Sequence, residues 1–171
     1  MKLLITSIVT AFALVLSARA DDVTAKISNV HLCCDKCVKG VDTALAPVSG
    51  AKAVCDKDAS TVVITAPDKA TAQKAADALI AAGYFGSSDD VKIDASTGAK
   101  GEKVQTLKVN GVHLCCGKCV KAVDKAVKSV PGVTGETAAK GAESFEVTGD
   151  FNDKDVFDAL QKAGLTGKEG K

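Results

Sequence analysis

The sequence predicts an α+β protein in which one small unit of two helices packed on a sheet is built twice in tandem. Three observations predict it. Residues 29–42, Asn-Val-His-Leu-Cys-Cys-Asp-Lys-Cys-Val-Lys-Gly-Val-Asp, recur as Gly-Val-His-Leu-Cys-Cys-Gly-Lys-Cys-Val-Lys-Ala-Val-Asp at 111–124, an offset of 82 residues. The match extends from Thr24/Thr106 to Val48-Ser49-Gly50 against Val130-Pro131-Gly132, and returns at Ala78-Leu79 against Ala159-Leu160. A repeat this long and present only twice is a duplicated domain, since solenoids use shorter units in greater number. Within each copy the hydrophobic period alternates between that of a strand and that of a helix.

The elements follow in order. Residues 25–30 and 106–112 read as first strands, with Leu107 and Val109 pointing inward. After the cysteine loop, Val38, Val41, Leu45 and Val48 fall at helical spacing, matched by Val120, Val123, Val127 and Val130. Gly50 and Pro131-Gly132 stop those helices. Residues 51–56 and 61–65 read as two strands across a turn, the second carrying Val62, Val63 and Ile64. Ala72, Ala75, Ala76, Leu79 and Ile80 mark a helix over 70–82 that ends at Gly83. Residues 91–93 read as a short last strand. The order is β-α-β-β-α-β, the split arrangement of ferredoxin-like sandwiches. In the second copy the residues after Gly164 are polar and glycine-rich, which predicts that this copy lacks a full fourth strand and leaves a less protected sheet edge.

Boundaries follow from the same pattern. Residues 1–20 have the layout of a cleavable secretory signal: Lys2, an apolar run over 3–16 and small residues before Ala20. That run is shorter than the ~20 residues of a spanning helix, and no Cys follows Ala20 to carry a lipid anchor. Cleavage after Ala20 predicts a periplasmic or secreted protein with no stable membrane anchor. Residues 21–94 form the first domain and 104–171 the second. The segment 95–103, with Asp94 before it, reads as a flexible, surface-exposed linker because it is small, polar and without hydrophobic periodicity.

Composition narrows the chemistry. Removing residues 1–20 takes away Arg19, the only arginine, and Met1, the only methionine, and the chain has no tryptophan. Near-balanced charge without arginine excludes a basic phosphate-binding face, so nucleic acid is not a partner. Without thioethers, soft-metal chemistry must run through seven cysteines and two histidines.

Each repeat carries two adjacent cysteines leading into a Cys-x-x-Cys spacing: Cys33, Cys34 and Cys37, then Cys115, Cys116 and Cys119. That spacing puts one thiol in the loop and another in the first helical turn, where backbone amides and the positive helix end favour thiolate. Lys36 and Lys118 act in the same direction. Thiolates on a loop suit soft ions of low coordination such as Cu(I) or Hg(II). Adding His31 or His113 would give three sulfurs and a nitrogen, a set that suits Zn(II). Cys33, Cys115, His31 and His113 are supporting candidates beside Cys34, Cys37, Cys116 and Cys119. Cys55 has Thr137 opposite it in the repeat and reads as a partly buried strand residue outside the shared site.

This layout resembles the heavy-metal-associated domain, in which a Gly-Met-x-Cys-x-x-Cys loop follows the first strand of a β-α-β-β-α-β fold. It is similar to copper chaperone domains and to the periplasmic mercury-binding protein. The resemblance maps the family cysteines onto Cys34 and Cys37, and onto Cys116 and Cys119. Gly83-Tyr84 resembles the Gly-Tyr of bacterial copper chaperones, with Leu165 at the corresponding place in the second copy. The family Met is absent, replaced by Leu32 and Leu114 or, with a longer loop, by Val30 and Val112. The resemblance implies a non-catalytic protein that sequesters or transfers copper, with metal-donor or metal-acceptor proteins as partners. Two other functions fit the residues: a thiol–disulfide redox protein, since Cys-x-x-Cys also exchanges disulfides, and a structural or interaction module closed by disulfides. No acid–base pair or phosphate loop appears elsewhere, so no other enzyme class is indicated.

Overall fold

The computed structural model describes residues 22–171, so the signal-like segment 1–20 lies outside the described residues. In the first half, β1 (Val23–Ile27), α1 (Asp35–Leu45), β2 (Lys52–Asp56), β3 (Thr61–Ala66) and α2 (Lys69–Ala81) follow in order. The second half repeats them as β4 (Lys103–Asn110), α3 (Gly117–Lys128), β5 (Val133–Glu136), β6 (Ser144–Asn152) and α4 (Asp153–Lys162), and adds β7 (Lys168–Glu169). The sheets run β1-β3-β2 and β5-β6-β4-β7, all pairs antiparallel. In the first sheet β3 is central, flanked by β1 and β2; in the second β6 and β4 are central, with β5 and β7 at the edges. That is ferredoxin-like order, as the sequence predicts.

Alternation explains the sheets. Ala25, Ile27, Val62 and Ile64 are buried in the first, and Leu107, Val109, Phe145, Val147 and Phe151 in the second. The helices cover one face with different side chains. α2 lays down Ala72, Ala75, Ala76 and Leu79, whereas α4 uses Val156, Phe157 and Leu160. Both helices start on a side-chain cap: Asp68 accepts from the Thr71 N–H and Asn152 from the Lys154 N–H. Buried residues from both halves join into one connected apolar cluster.

Two expectations need correction. The last strand of the first half does not form at 91–93; the pairing to the end of β1 is a single bridge four residues earlier, Ser28 to Ser87. Side chains take the hydrogen bonds a strand would have made. The Asp90 carboxylate accepts from the Lys26 N–H on the edge of β1, and the Gln73 amide both donates to the Lys92 carbonyl and accepts from the Lys92 N–H. In the second half the fourth strand is incomplete, as expected: only the two residues of β7 pair, to Val109 and Asn110. The segment 94–102 is also not a free tether. Thr97 is buried and its carbonyl accepts from the Glu169 N–H. The buried Asp153 carboxylate accepts from the N–H groups of Lys100, Gly101 and Glu102. A polar, glycine-containing segment reads as flexible in sequence, yet here its backbone donors find a buried carboxylate.

Candidate metal centre

Cys34 and Cys116 occupy the N-cap positions of α1 and α3 in extended conformation (φ −168° and −154°). Extended backbone sends successive side chains to opposite sides, so Cys33 leaves the loop differently from Cys34, and Cys115 from Cys116. Cys37 and Cys119 lie in the first helical turns and are fully buried.

The two loops face each other, and all six sulfurs meet. Within the first loop Cys33 and Cys34 stand 3.5 and 4.0 Å from Cys37. Within the second, Cys115 and Cys116 stand 3.6 and 3.8 Å from Cys119. Across the halves, Cys33 reaches Cys116 at 3.5 Å and Cys119 at 3.6 Å. Cys34 reaches Cys116 at 3.7 Å, and Cys37 reaches Cys115 at 3.6 Å and Cys119 at 3.9 Å. These separations exceed a disulfide bond of about 2.05 Å, and all six thiols are free. The adjacent cysteine of each loop is therefore no spare: Cys33 sits among sulfurs of the opposite half.

The histidines cross over in the same way. Donor atoms of His31, Cys33 and Cys119 lie within 4.8 Å of one another, as do those of His113, Cys37, Cys115 and Cys119. His113 stacks on Tyr84 with ring centroids 4.4 Å apart. The Tyr84 hydroxyl donates to the Cys37 carbonyl at 2.7 Å and meets His113 Nε2 at 3.0 Å. With its one proton committed to the carbonyl, the hydroxyl accepts from Nε2–H, leaving Nδ1 as the atom available for ligation. His31 has no such partner, and its Nε2 is buried without a hydrogen bond.

Glycines make the encounter possible. Gly83 and Gly164 both have positive φ (85° and 76°). A Cβ on Gly83 would land on the Gly111 carbonyl and 2.5 Å from the His113 nitrogen; one on Gly164 would land on the Asn29 carbonyl and 2.6 Å from the His31 nitrogen. Each half thus seats its glycine on the other's cysteine loop. Backbone bonds seal the contact: Phe85 N–H and His31 N–H donate to the Gly164 carbonyl, and Thr166 N–H to that of Gly83. Gly40 on α1 clears space for the Tyr84 hydroxyl, on which a Cβ there would collide.

The electrostatics divide the sulfurs, favouring thiolate at Cys37 and Cys116 and the protonated thiol at Cys33, Cys115 and Cys119. Cys37 is drawn far below the usual thiol range, first by the Cys119 thiol donating to it, then by His113 and Cys33 against the opposing effect of burial. Its partner Cys119 is pushed up by the same bond and by burial. Cys116 is lowered to about 6 because backbone N–H groups of Cys119 and Lys118 face its sulfur at the helix end, though none closes to a capping hydrogen bond. Burial pushes Cys115 up to about 12 and Cys33 up as well. His31 is lowered, chiefly by burial, which keeps its imidazole neutral as ligation requires. Every donor is sulfur or imidazole nitrogen, a soft set with no carboxylate in it. An open depression of about 620 Å³ leads to Cys34 and Cys116 between Lys36, Lys118 and Lys121.

All eight sequence-predicted residues meet at this place, while Cys55 stays apart on β2, its thiol raised to about 11 mainly by burial. Gly40 and Gly164 were not legible as site residues, and Gly83 only through its resemblance to the Gly-Tyr of bacterial copper chaperones. A signal for one was present: Gly40 faces Ala122 in the repeat just where Tyr84 faces Leu165.

No family model and no curated protein matches the chain. Several solved structures are similar to it. The N-terminal domain of PacS from Synechocystis PCC6803 is 23% identical over 40% of this chain and 100% of its own, with a TM-score of 0.36. A copper binding domain from HMA7, a P-type ATPase, is 21% identical over 40% of this chain and 96% of its own, at 0.37. The N-terminal soluble domains of Bacillus subtilis CopA are 15% identical over 88% of this chain and 95% of their own, at 0.32. At such identities and scores they carry no argument about this chain, and the fold rests on the strand order itself. Fold and donor set together define a paired, ferredoxin-like protein with a soft-donor centre.

Proposed function

We propose that this is a non-catalytic soft-metal-ion binding protein, acting in the periplasm or outside the cell, that sequesters copper as Cu(I) or passes it on. The observation that carries the reading is the meeting of six free thiols, flanked by two imidazoles, at two facing helix N-termini. Thiolates select Cu(I) over harder ions. The depression over Cys34 and Cys116 gives a partner's thiols a route to the metal, and exchange would proceed by their stepwise invasion. Zinc and mercury are the other ions the donors suit.

The test is Cu(I) binding by the reduced protein against a competing chelator. Tight binding, lost in the Cys34→Ser/Cys116→Ser variant, is the expected result; equal binding by that variant would remove the reading. One observation favours redox exchange instead. Cys33 and Cys116, 3.5 Å apart, need little movement to form a disulfide. That reading requires catalytic turnover with a disulfide substrate, which a binding protein would not support.

A further inference from the structure

We infer that the two cysteine loops enclose one thiolate-bridged cluster of Cu(I) ions rather than holding one ion each. The inference rests on the soft-metal reading above and adds the number of ions and their arrangement. Distances carry it. Sulfurs of the same loop lie 3.5–4.0 Å apart, and sulfurs of opposite loops 3.5–3.9 Å apart. Two independent sites would show short separations within a loop and long ones between loops. With metal–sulfur bonds of about 2.3 Å, two sulfurs on one ion stand just under ~4 Å apart, which is the length of these edges.

Connectivity points the same way. Every one of the six sulfurs has at least two sulfur neighbours, and every one has a neighbour in the opposite half. A single ion cannot accept six sulfurs. Two ions held by Cys34 with Cys37 and Cys116 with Cys119 would leave Cys33 and Cys115 idle in the middle of the donor set. If each sulfur bridges two ions and each ion takes three sulfurs, the cage closes at about four Cu(I). Each sulfur that still carries a proton releases it on taking metal, so the filled cage sets six thiolates against about four Cu(I) while copper remains monovalent. The cage keeps about two negative charges by that count, and the three lysines at its mouth, Lys36, Lys118 and Lys121, outnumber the one carboxylate there, Asp35.

The experiment titrates the reduced full chain with Cu(I) under anaerobic conditions, reading stoichiometry by native mass spectrometry and metal neighbours by X-ray absorption. About four copper ions per chain, filling cooperatively and scattering from one another, is the expected result. Two ions filling independently without metal–metal scattering would overturn the cluster and leave the soft-metal reading standing. Failure to take up Cu(I) would remove both. The Cys33→Ser/Cys115→Ser variant keeps both Cys-x-x-Cys pairs, and its loading is expected to fall to about half with loss of the metal–metal signal. Unchanged loading there would also overturn the cluster. Because that variant could misfold, Cys34→Ser alone provides a second reading on a partly exposed residue. In a shared cage it depletes copper from both loops, whereas separate sites would lose one ion.

Discussion

The two halves meet the centre with the same backbone and different side chains. In the first, Tyr84 lies against His113, bonds the Cys37 carbonyl and needs the gap left by Gly40. In the second, Leu165 and Ala122 fill the corresponding places, and His31 keeps a buried Nε2 with no partner. What the halves share is the glycine seat and the cysteine loop; what has diverged is the packing behind each histidine. Duplication copied the site's frame, and later substitutions made its two histidines unequal.

The shared frame should break first. A Gly83→Ala or Gly164→Ala change puts a Cβ into the other half's backbone and into a left-handed conformation. Strain and overpacking together cost about 3 kcal/mol or more. Thermal unfolding should fall strongly and similarly in both variants. If one is tolerated, the two seats are not equivalent.

The diverged packing comes next. Gly40→Ala should cost about 1–3 kcal/mol by driving the methyl into the Tyr84 hydroxyl. The mirror change Ala122→Gly should cost only ~0.5–1 kcal/mol of helix propensity. Chemical denaturation of both variants measures the contrast. Equal losses would mean that Tyr84 does not depend on Gly40. Leu165→Tyr, with Ala122→Gly to admit it, supplies the acceptor that His31 lacks and offsets the helix-propensity cost of the glycine. The net hydrogen bond is worth about 0.5–1.5 kcal/mol. Nitrogen-15 shifts of His31 should then approach those of His113, and unchanged shifts would refute the equivalence.

A further contrast lies at the start of the second helix of each half. Asp68 caps α2 at the surface, so Asp68→Ala should cost about 1 kcal/mol. Asp153 is buried and also holds three backbone donors of the preceding segment, so Asp153→Ala should cost about 1–3 kcal/mol. Burial works to raise the Asp153 pKa, but its backbone bonds prevail and hold it below the ordinary carboxylate value. Its stabilisation is therefore present above the unfolded-state pKa of about 3.8 and disappears as pH falls through the lower folded value. The advantage of wild type over the alanine variant should shrink as pH falls below the unfolded-state value, and a gap that does not narrow in acid would contradict this assignment.

Much of this was legible in sequence because it is local. The helices over Asp35–Leu45 and Lys69–Ala81 follow from apolar spacing, and the cysteine loops from their own repetition. The rest depends on long-range contacts. Gly83 announces a helix stop but not that its missing side chain admits Gly111 and His113 from the other half. Residues 91–93 have strand-forming side chains, yet Gln73, nineteen residues earlier, takes the Lys92 backbone. Sequence leaves open whether the two loops act separately or share an ion, because residues 94–102 look like an idle tether until Asp153 collects their amides. Periodicity records which face a residue prefers, not which distant surface will cover it.

The placing of Gly83 and Gly164 has a consequence for how the protein responds to dilution. Two separate single-repeat molecules would have to find each other before their thiols could cooperate, and mass action would part them at low concentration. On one chain the encounter is intramolecular, with an effective concentration on the order of millimolar for short connections. Metal capacity then belongs to each molecule singly, whatever the number of its copies nearby.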